Sequence, residues 1–158
     1  MLYRIKQVFY GLTAKMSGKD HEFVREYLTP NERALFYRLR VGEQVHSVKV
    51  AYGCYQEKPT NRKLIKAALL HDVGKVESNL NIFNKVIVVI LAKHPVRARL
   101  LPFFIKKALF YKNHHPKIAV EFLHQLRLDK DIIYLVENHH KLSTNEDINL
   151  IQKYDNMY

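Results

Sequence analysis

The stretch LLHDVGK, residues 69–75, sets an imidazole and a carboxylate side by side at the end of an apolar run. Ala67, Ala68, Leu69 and Leu70 belong in a core, and two strong ligand groups at its edge, His71 and Asp72, require a partner. The same side-chain types recur along the chain. His46 lies within one amphipathic stretch, His115 stands before Pro116, His139 and His140 end another stretch, and Asp155 lies on the last. Each sits beside an apolar stripe, so each can point at the same place. Imidazole and carboxylate together suit Fe, Mn, Co, Ni or Zn, and an aspartate can bridge two ions with its two oxygens. A divalent ion lowers the pKa of bound water towards neutrality, which is chemistry suited to hydrolysis at pH 7. No Ser or Cys is placed near a base, and Cys54 has no motif around it, so covalent catalysis is not expected.

Helices must hold these groups, because the periodicity is helical almost everywhere and no stretch sustains a period-two alternation. Phe23, Tyr27 and Leu28 share one side of residues 21–28. Thr29 as N-cap, Pro30 at the first helical position and Glu32 closing a capping box mark the next start, followed by the stripe Leu35, Phe36, Leu39. Residues 43–55 form a third helix with Val45, Val48 and Tyr52 at core spacing and His46, Lys49, Val50 and Gly53 on another face. Arg62 to about Asp72 is a fourth, with Gly74 as its stop. Residues 82–112 are expected to hold one or two helices broken around His94-Pro95 and Leu101-Pro102. Pro116 opens a further helix, residues 129–140 form another, and STNE at 143–146 reads as a second capping box. The fold class is all-α, a single-domain helical bundle.

The order of these residues resembles the HD superfamily of metal-dependent phosphohydrolases. The matching pieces are QVHSVKVA (44–51), LLHDVGK (69–75), HPKIAVEFL (115–123), NHH (138–140) and YDN (154–156). The resemblance implies a helical HD domain over residues 42–158, with 1–41 as a helical extension packed on it. It implies that His46, His71, Asp72 and Asp155 hold a first metal. The extra histidines look like the two-metal branch, in which Asp72 bridges while His115, His139 and His140 bind a second ion. Fe or Mn are the expected metals, with Co, Ni, Zn or Mg as alternatives. HHKLST follows the His-His pair instead of the acid and Gly-Tyr-Pro loop of the HD-GYP phosphodiesterases, which argues against cyclic-di-GMP as substrate. A three-metal variant carries a Glu where this chain has Gly42, with Glu43 one place off, so two ions are expected.

The activity so implied is hydrolysis of a nucleotide or related phosphate ester, with Asp72, Lys75 and His114 as catalytic residues. Lys75 and Lys49 are the phosphate-binding candidates, since an ammonium there can neutralise a phosphoryl oxygen. His114 or Lys75 is the candidate proton donor to the leaving alkoxide. Two other readings are a di-iron oxygenase of the same superfamily and a regulatory module that binds nucleotide or RNA. His21, His94 and His124 belong to no motif.

Composition points the same way. The 158 residues suit one domain, and 26 Lys and Arg against 15 Asp and Glu give a net charge of +11, which favours an anionic small molecule such as a nucleotide. No specific nucleic-acid partner is expected. Residues 82–112 interleave Lys85, Lys93, Arg97, Arg99, Lys106, Lys107 and Lys112 with Val86, Ile90, Leu100, Phe103, Phe104 and Phe110. Such a segment can lie on an anionic membrane or cover the core. The single cysteine excludes an internal disulfide, and the basic start MLYRIKQVFYGLTAK lacks the apolar core of a signal peptide. The apolar run VIVVILA is far shorter than the ~20 residues of a spanning helix, so a cytoplasmic location is expected.

Overall fold

The computed structural model describes residues 14–77 and 103–158. These form seven α-helices and one 3-10 turn, with no strand among the described residues. The helices are α1 (Gly18–Tyr27), α2 (Pro30–Phe36), α3 (Val41–Glu57), α4 (Arg62–Leu70), α5 (Phe103–Gln125), α6 (Lys130–Asn138) and α7 (Glu146–Met157); the 3-10 turn spans Val73–Glu77.

Helix α4 is the centre of the bundle because nearly all of it is apolar. Leu64, Ile65, Ala67, Ala68, Leu69 and Leu70 are fully buried, and α4 packs on α3, α6 and α1. Each of its buried Leu and Ile side chains contributes roughly 1.5–3 kcal/mol. The helix therefore holds its C-terminal end, and the His71-Asp72 pair beyond it, firmly in place. Lys66 is the polar exception. Its Nζ donates to both carboxylate oxygens of buried Glu32, at 2.8 and 2.9 Å, and that carboxylate also accepts the Thr29 N–H. The capping box at Thr29 and Glu32 thus serves as the ion partner of α4 as well.

Helices α1 and α2 add Phe23, Val24, Tyr27, Leu28, Leu35 and Phe36 to the same buried cluster. Helix α1 starts on a capping box of its own, Ser17 with Asp20. Helix α3 packs against α7 through a gap in its surface: a Cβ on Gly53 would run into the Tyr154 ring. That close approach brings Asp155, the next residue of α7, up to α3.

Three local expectations are corrected. Pro116 does not open a helix; it lies inside α5, which runs unbroken from Phe103 to Gln125. Proline removes one N–H from a helix, and the packing of α5 on the 3-10 turn and on α6 outweighs that loss. Ser143 does not cap α7. Asn145 does, its side-chain oxygen accepting from the N–H of Asp147 and Ile148, while Ser143 Oγ accepts the N–H of Asn145. Gly74 is not a left-handed helix stop, since no described glycine has a positive φ. Helix α4 ends at Leu70, and Gly74 lets the 3-10 turn lie directly on the backbone of α5 at His115 and Ala119.

The expected breaks at His94-Pro95 and Leu101-Pro102 lie outside the described residues, as does most of the basic 82–112 segment. From Phe103 that segment is helical, with Phe103, Lys106, Lys107 and Phe110 exposed. No described helix is long and apolar enough to cross a membrane.

Candidate metal centre

Five helix segments deliver ligand-type groups to one place. His46 comes from the middle of α3, and His71 is the C-terminal cap of α4, with Asp72 next to it. His115 comes from α5, His139 caps α6 with His140 following, and Asp155 comes from α7. His46 Nε2 lies 2.9 Å from Asp155 Oδ1, joining residues 109 apart in the chain. His71 Nε2 is 3.5 Å from Asp72 Oδ2 and 3.6 Å from Asp155 Oδ1. On the other side, Asp72 Oδ1 is 3.4 Å from His115 Nε2, which is 3.1 Å from His140 Nε2. The His139 ring lies 5.1 Å from that of His71 and 3.9 Å from that of His140. All seven side chains therefore form one connected group. It divides into two: ligand atoms of His46, His71 and Asp72 lie within 4.8 Å of one another, and so do those of His115, His139 and His140.

The donor set fits divalent ions. His71 Nε2, Asp72 Oδ1 and His139 Nε2 are buried without a hydrogen-bond partner, which costs free energy unless something else satisfies them. The other ring nitrogens are already committed. Nδ1 of His71 donates to the Ala68 carbonyl at 2.7 Å, that of His139 to Val136 at 2.6 Å, and that of His115 to Tyr111 at 3.2 Å. A carbonyl can only accept, so each Nδ1 carries a proton and each Nε2 points into the cluster. Backbone carbonyls commonly orient metal-binding histidines in this way.

The electrostatics keep most of the set in its ligand form. Burial, assisted by His71 and His140, pushes the His139 imidazole down to about 3, so it is neutral at physiological pH. Burial also lowers His140, against the pull of Asp155 and Asp72. Burial opposes ionisation of Asp72, but Lys75, His71 and His115 overcome it and hold the carboxyl well below its ordinary range. Asp155 is depressed in the same sense, burial being outweighed by His46 and His71. His71 differs: burial favours its neutral form, yet Asp72 and Asp155 raise it, so an incoming cation would displace a proton there.

The cluster opens to solvent at a cleft, and less widely at the half-buried His46 and Asp155. Lys75, Asn113, His115 and His140 line a cleft of about 480 Å³. The side chains of His71, Asp72, His115 and His139 are no more than 3% exposed, whereas that of His140 is 48% exposed and forms part of the rim. Lys75 Nζ donates to Asp72 Oδ2 at 2.5 Å. Burial opposes its charge, but Asp72 and, farther off, Glu43 raise its pKa, so the ammonium persists.

Two of the residues picked out from sequence are not brought to this group. Lys49 is exposed and its ammonium lies over the Tyr158 ring, 5.8 Å from the centroid. His114 is also exposed; its Nδ1 donates to the Phe110 carbonyl at 2.8 Å and its ring stacks on Phe110. His21 pairs with the Tyr37 hydroxyl, His124 is exposed, and His94 lies outside the described residues. Asn113 is the cleft residue that sequence reasoning missed. The only signal for it was its place two residues before His115.

A family model described as HD domain matches residues 39–156. No curated protein and no solved structure matches the chain.

Proposed function

The chain belongs to the HD-domain family, and on that premise we propose that it is a phosphohydrolase acting on a nucleotide or related phosphate ester at a two-ion site. One observation carries the reading. The buried Asp72 carboxylate has one oxygen 3.5 Å from His71 of its own triad and the other 3.4 Å from His115 of the three-histidine group. His46, His71, Asp72 and Asp155 would hold one ion, and Asp72, His115, His139 and His140 the second. When bound, such ions supply Lewis-acid polarisation of a phosphoryl group and activation of water.

The protein's own groups do the rest. The backbone carbonyls of Ala68, Val136 and Tyr111 fix the imidazoles with Nε2 forward, so little reorganisation is needed on loading. Burial of Asp72 and His139 keeps bulk water from the inner wall, which strengthens every charge interaction there. Lys75, held positive on the cleft wall, neutralises a phosphoryl oxygen and donates a proton to the leaving alkoxide. A substrate enters past His140 and Asn113, phosphate first.

Metal analysis of the purified protein, followed by phosphomonoesters and phosphodiesters assayed with Mn, Fe, Co, Ni, Mg and Zn, tests this. Asp72→Ala should lose both ions and all hydrolysis, whereas His115→Ala should lose mainly one ion. Full metal content in Asp72→Ala would refute the bridging role.

A further inference from the structure

The N-terminal half of α5 turns two phenylalanines to solvent among lysines. At about 100° per residue, the helix sets Phe103 and Phe110 within about 20° of each other, roughly 10.5 Å apart along its axis. Lys106 and Lys107 lie on either side of that pair, and Lys117 continues the face. All five are exposed, Phe103 keeping 81% and Phe110 51% of its surface open. His114 stacks on Phe110, with ring centroids 4.3 Å apart and planes 17° from parallel, and widens the flat surface. Large apolar groups exposed together, rather than singly, mark a surface that meets a partner. The charge around them is one-sided. Residues 78–120 carry eight Lys and Arg and no Asp or Glu, in a chain that has 15 acids elsewhere.

We propose that this face of α5 docks the protein on an anionic lipid bilayer. Phe103 and Phe110 enter the boundary between headgroups and acyl chains, and the flanking lysines lay their stems along it with their ammonium groups among the lipid phosphates. Charge complementarity chooses the partner. A protein surface would need acids matched one by one to the lysines, whereas an anionic bilayer offers negative charge wherever a lysine falls. Nucleic acid fits less well. Strands that stack on aromatics are held in basic grooves, with arginine adding cation–π contacts, and this face is the side of one helix that has lysine and no arginine. Each lysine near such a membrane strengthens binding about fivefold, so three give about a hundredfold, and salt screens the effect. The docking needs no ion at the histidine-aspartate cluster.

Flotation of the full chain with vesicles of phosphatidylcholine, alone or mixed with phosphatidylglycerol, tests this. The protein should bind the mixed vesicles at low salt and leave the neutral ones. Phe103→Ser with Phe110→Ser keeps the net charge and should weaken binding by about tenfold or more. Lys107→Glu with Lys117→Glu should do the same. Lys19→Glu with Lys130→Glu makes the same change in charge at exposed positions of α1 and α6 and should cost less than about threefold. All these side chains are exposed, so the fold should be retained. The chain has no tryptophan, so Phe103→Trp gives a single reporter, whose emission should shift to the blue on the mixed vesicles. No binding to the mixed vesicles, binding that survives loss of both phenylalanines, equal losses in the two charge-reversed pairs, or an unshifted Phe103→Trp emission overturns the proposal. Tight binding of single-stranded RNA that the phenylalanine substitutions abolish would assign the face to nucleic acid and overturn it as well.

Discussion

Replacing Gly74 by alanine should damage the proposed metal centre without touching any of the residues that would hold an ion. A Cβ at that position would sit 2.7 Å from the His115 carbonyl carbon and 2.8 Å from the Ala119 nitrogen, and closer still to the His115 oxygen. Ordinary contacts of this kind begin near 3.4 Å. The obstructing atoms are all main chain of α5, so no rotamer change can relieve the overlap. The 3-10 turn and α5 must separate by roughly 1 Å, and densely packed interiors resist such shifts at about 1–3 kcal/mol. For a domain of this size that corresponds to a fall in Tm of roughly 3–10 °C. The same separation lengthens the 3.4 Å approach between His115 and Asp72, the link between the two halves of the cluster. Metal analysis of Gly74→Ala should therefore show occupancy falling towards one ion per chain, with a calorimetric Tm below that of the wild type. Gly18→Ala is the internal control, since a Cβ there meets nothing within 4 Å. Wild-type Tm and wild-type metal content in Gly74→Ala would refute the packing argument.

Other expectations follow from the charges and contacts. The folded protein holds His139 at about 3 against an ordinary 6.5, so between those values the unfolded chain binds a proton that the fold refuses. That part of the stability of metal-free protein is present above pH 6.5 and is lost as pH falls towards 3, by at most on the order of 5 kcal/mol. Urea titrations at pH 7 and pH 4.5 should show the loss, and His139→Gln should show a shallower one; equal slopes would contradict it. Lys75→Met should weaken phosphate binding by tenfold or more, while Lys49→Met changes it less than about twofold; calorimetry with inorganic phosphate separates the two, and the reverse order would move the phosphate site. Glu32→Gln should destabilise the protein by about 1–3 kcal/mol, because it removes the counter-charge of Lys66 beside the core; an unchanged urea midpoint would show that the pair contributes nothing.

Local signals were legible in the sequence, and non-local ones were not. Thr29, Pro30 and Glu32 act within four residues, so the start of α2 could be read directly, and the continuous apolar run of α4 announced a central helix. Pro116 misled because its preference for a first helical turn is a local bias, overridden by what α5 packs against. In STNE, Ser143 and Asn145 offer competing caps, and the outcome depends on where the loop from α6 arrives. The role of Gly74 was hidden because its reason lies 41 residues away, on the backbone at His115. Spacing suggested that His46, His71, Asp72, His115, His139, His140 and Asp155 could converge, but helical faces are broad. Lys49, one turn from His46, turns instead to Tyr158, and Asn113 reaches the cleft through the placement of α5, which no motif records.

The central claim is that Asp72 stands between two ions. Crystals of the protein loaded with Mn or Fe, with data collected on both sides of the metal absorption edge, test it most directly. The account predicts two anomalous peaks about 3.5–4 Å apart on either side of the Asp72 carboxylate, one near His46, His71 and Asp155 and the other near His115, His139 and His140. A single peak at full loading, with His115 and His139 turned away from it, would contradict it.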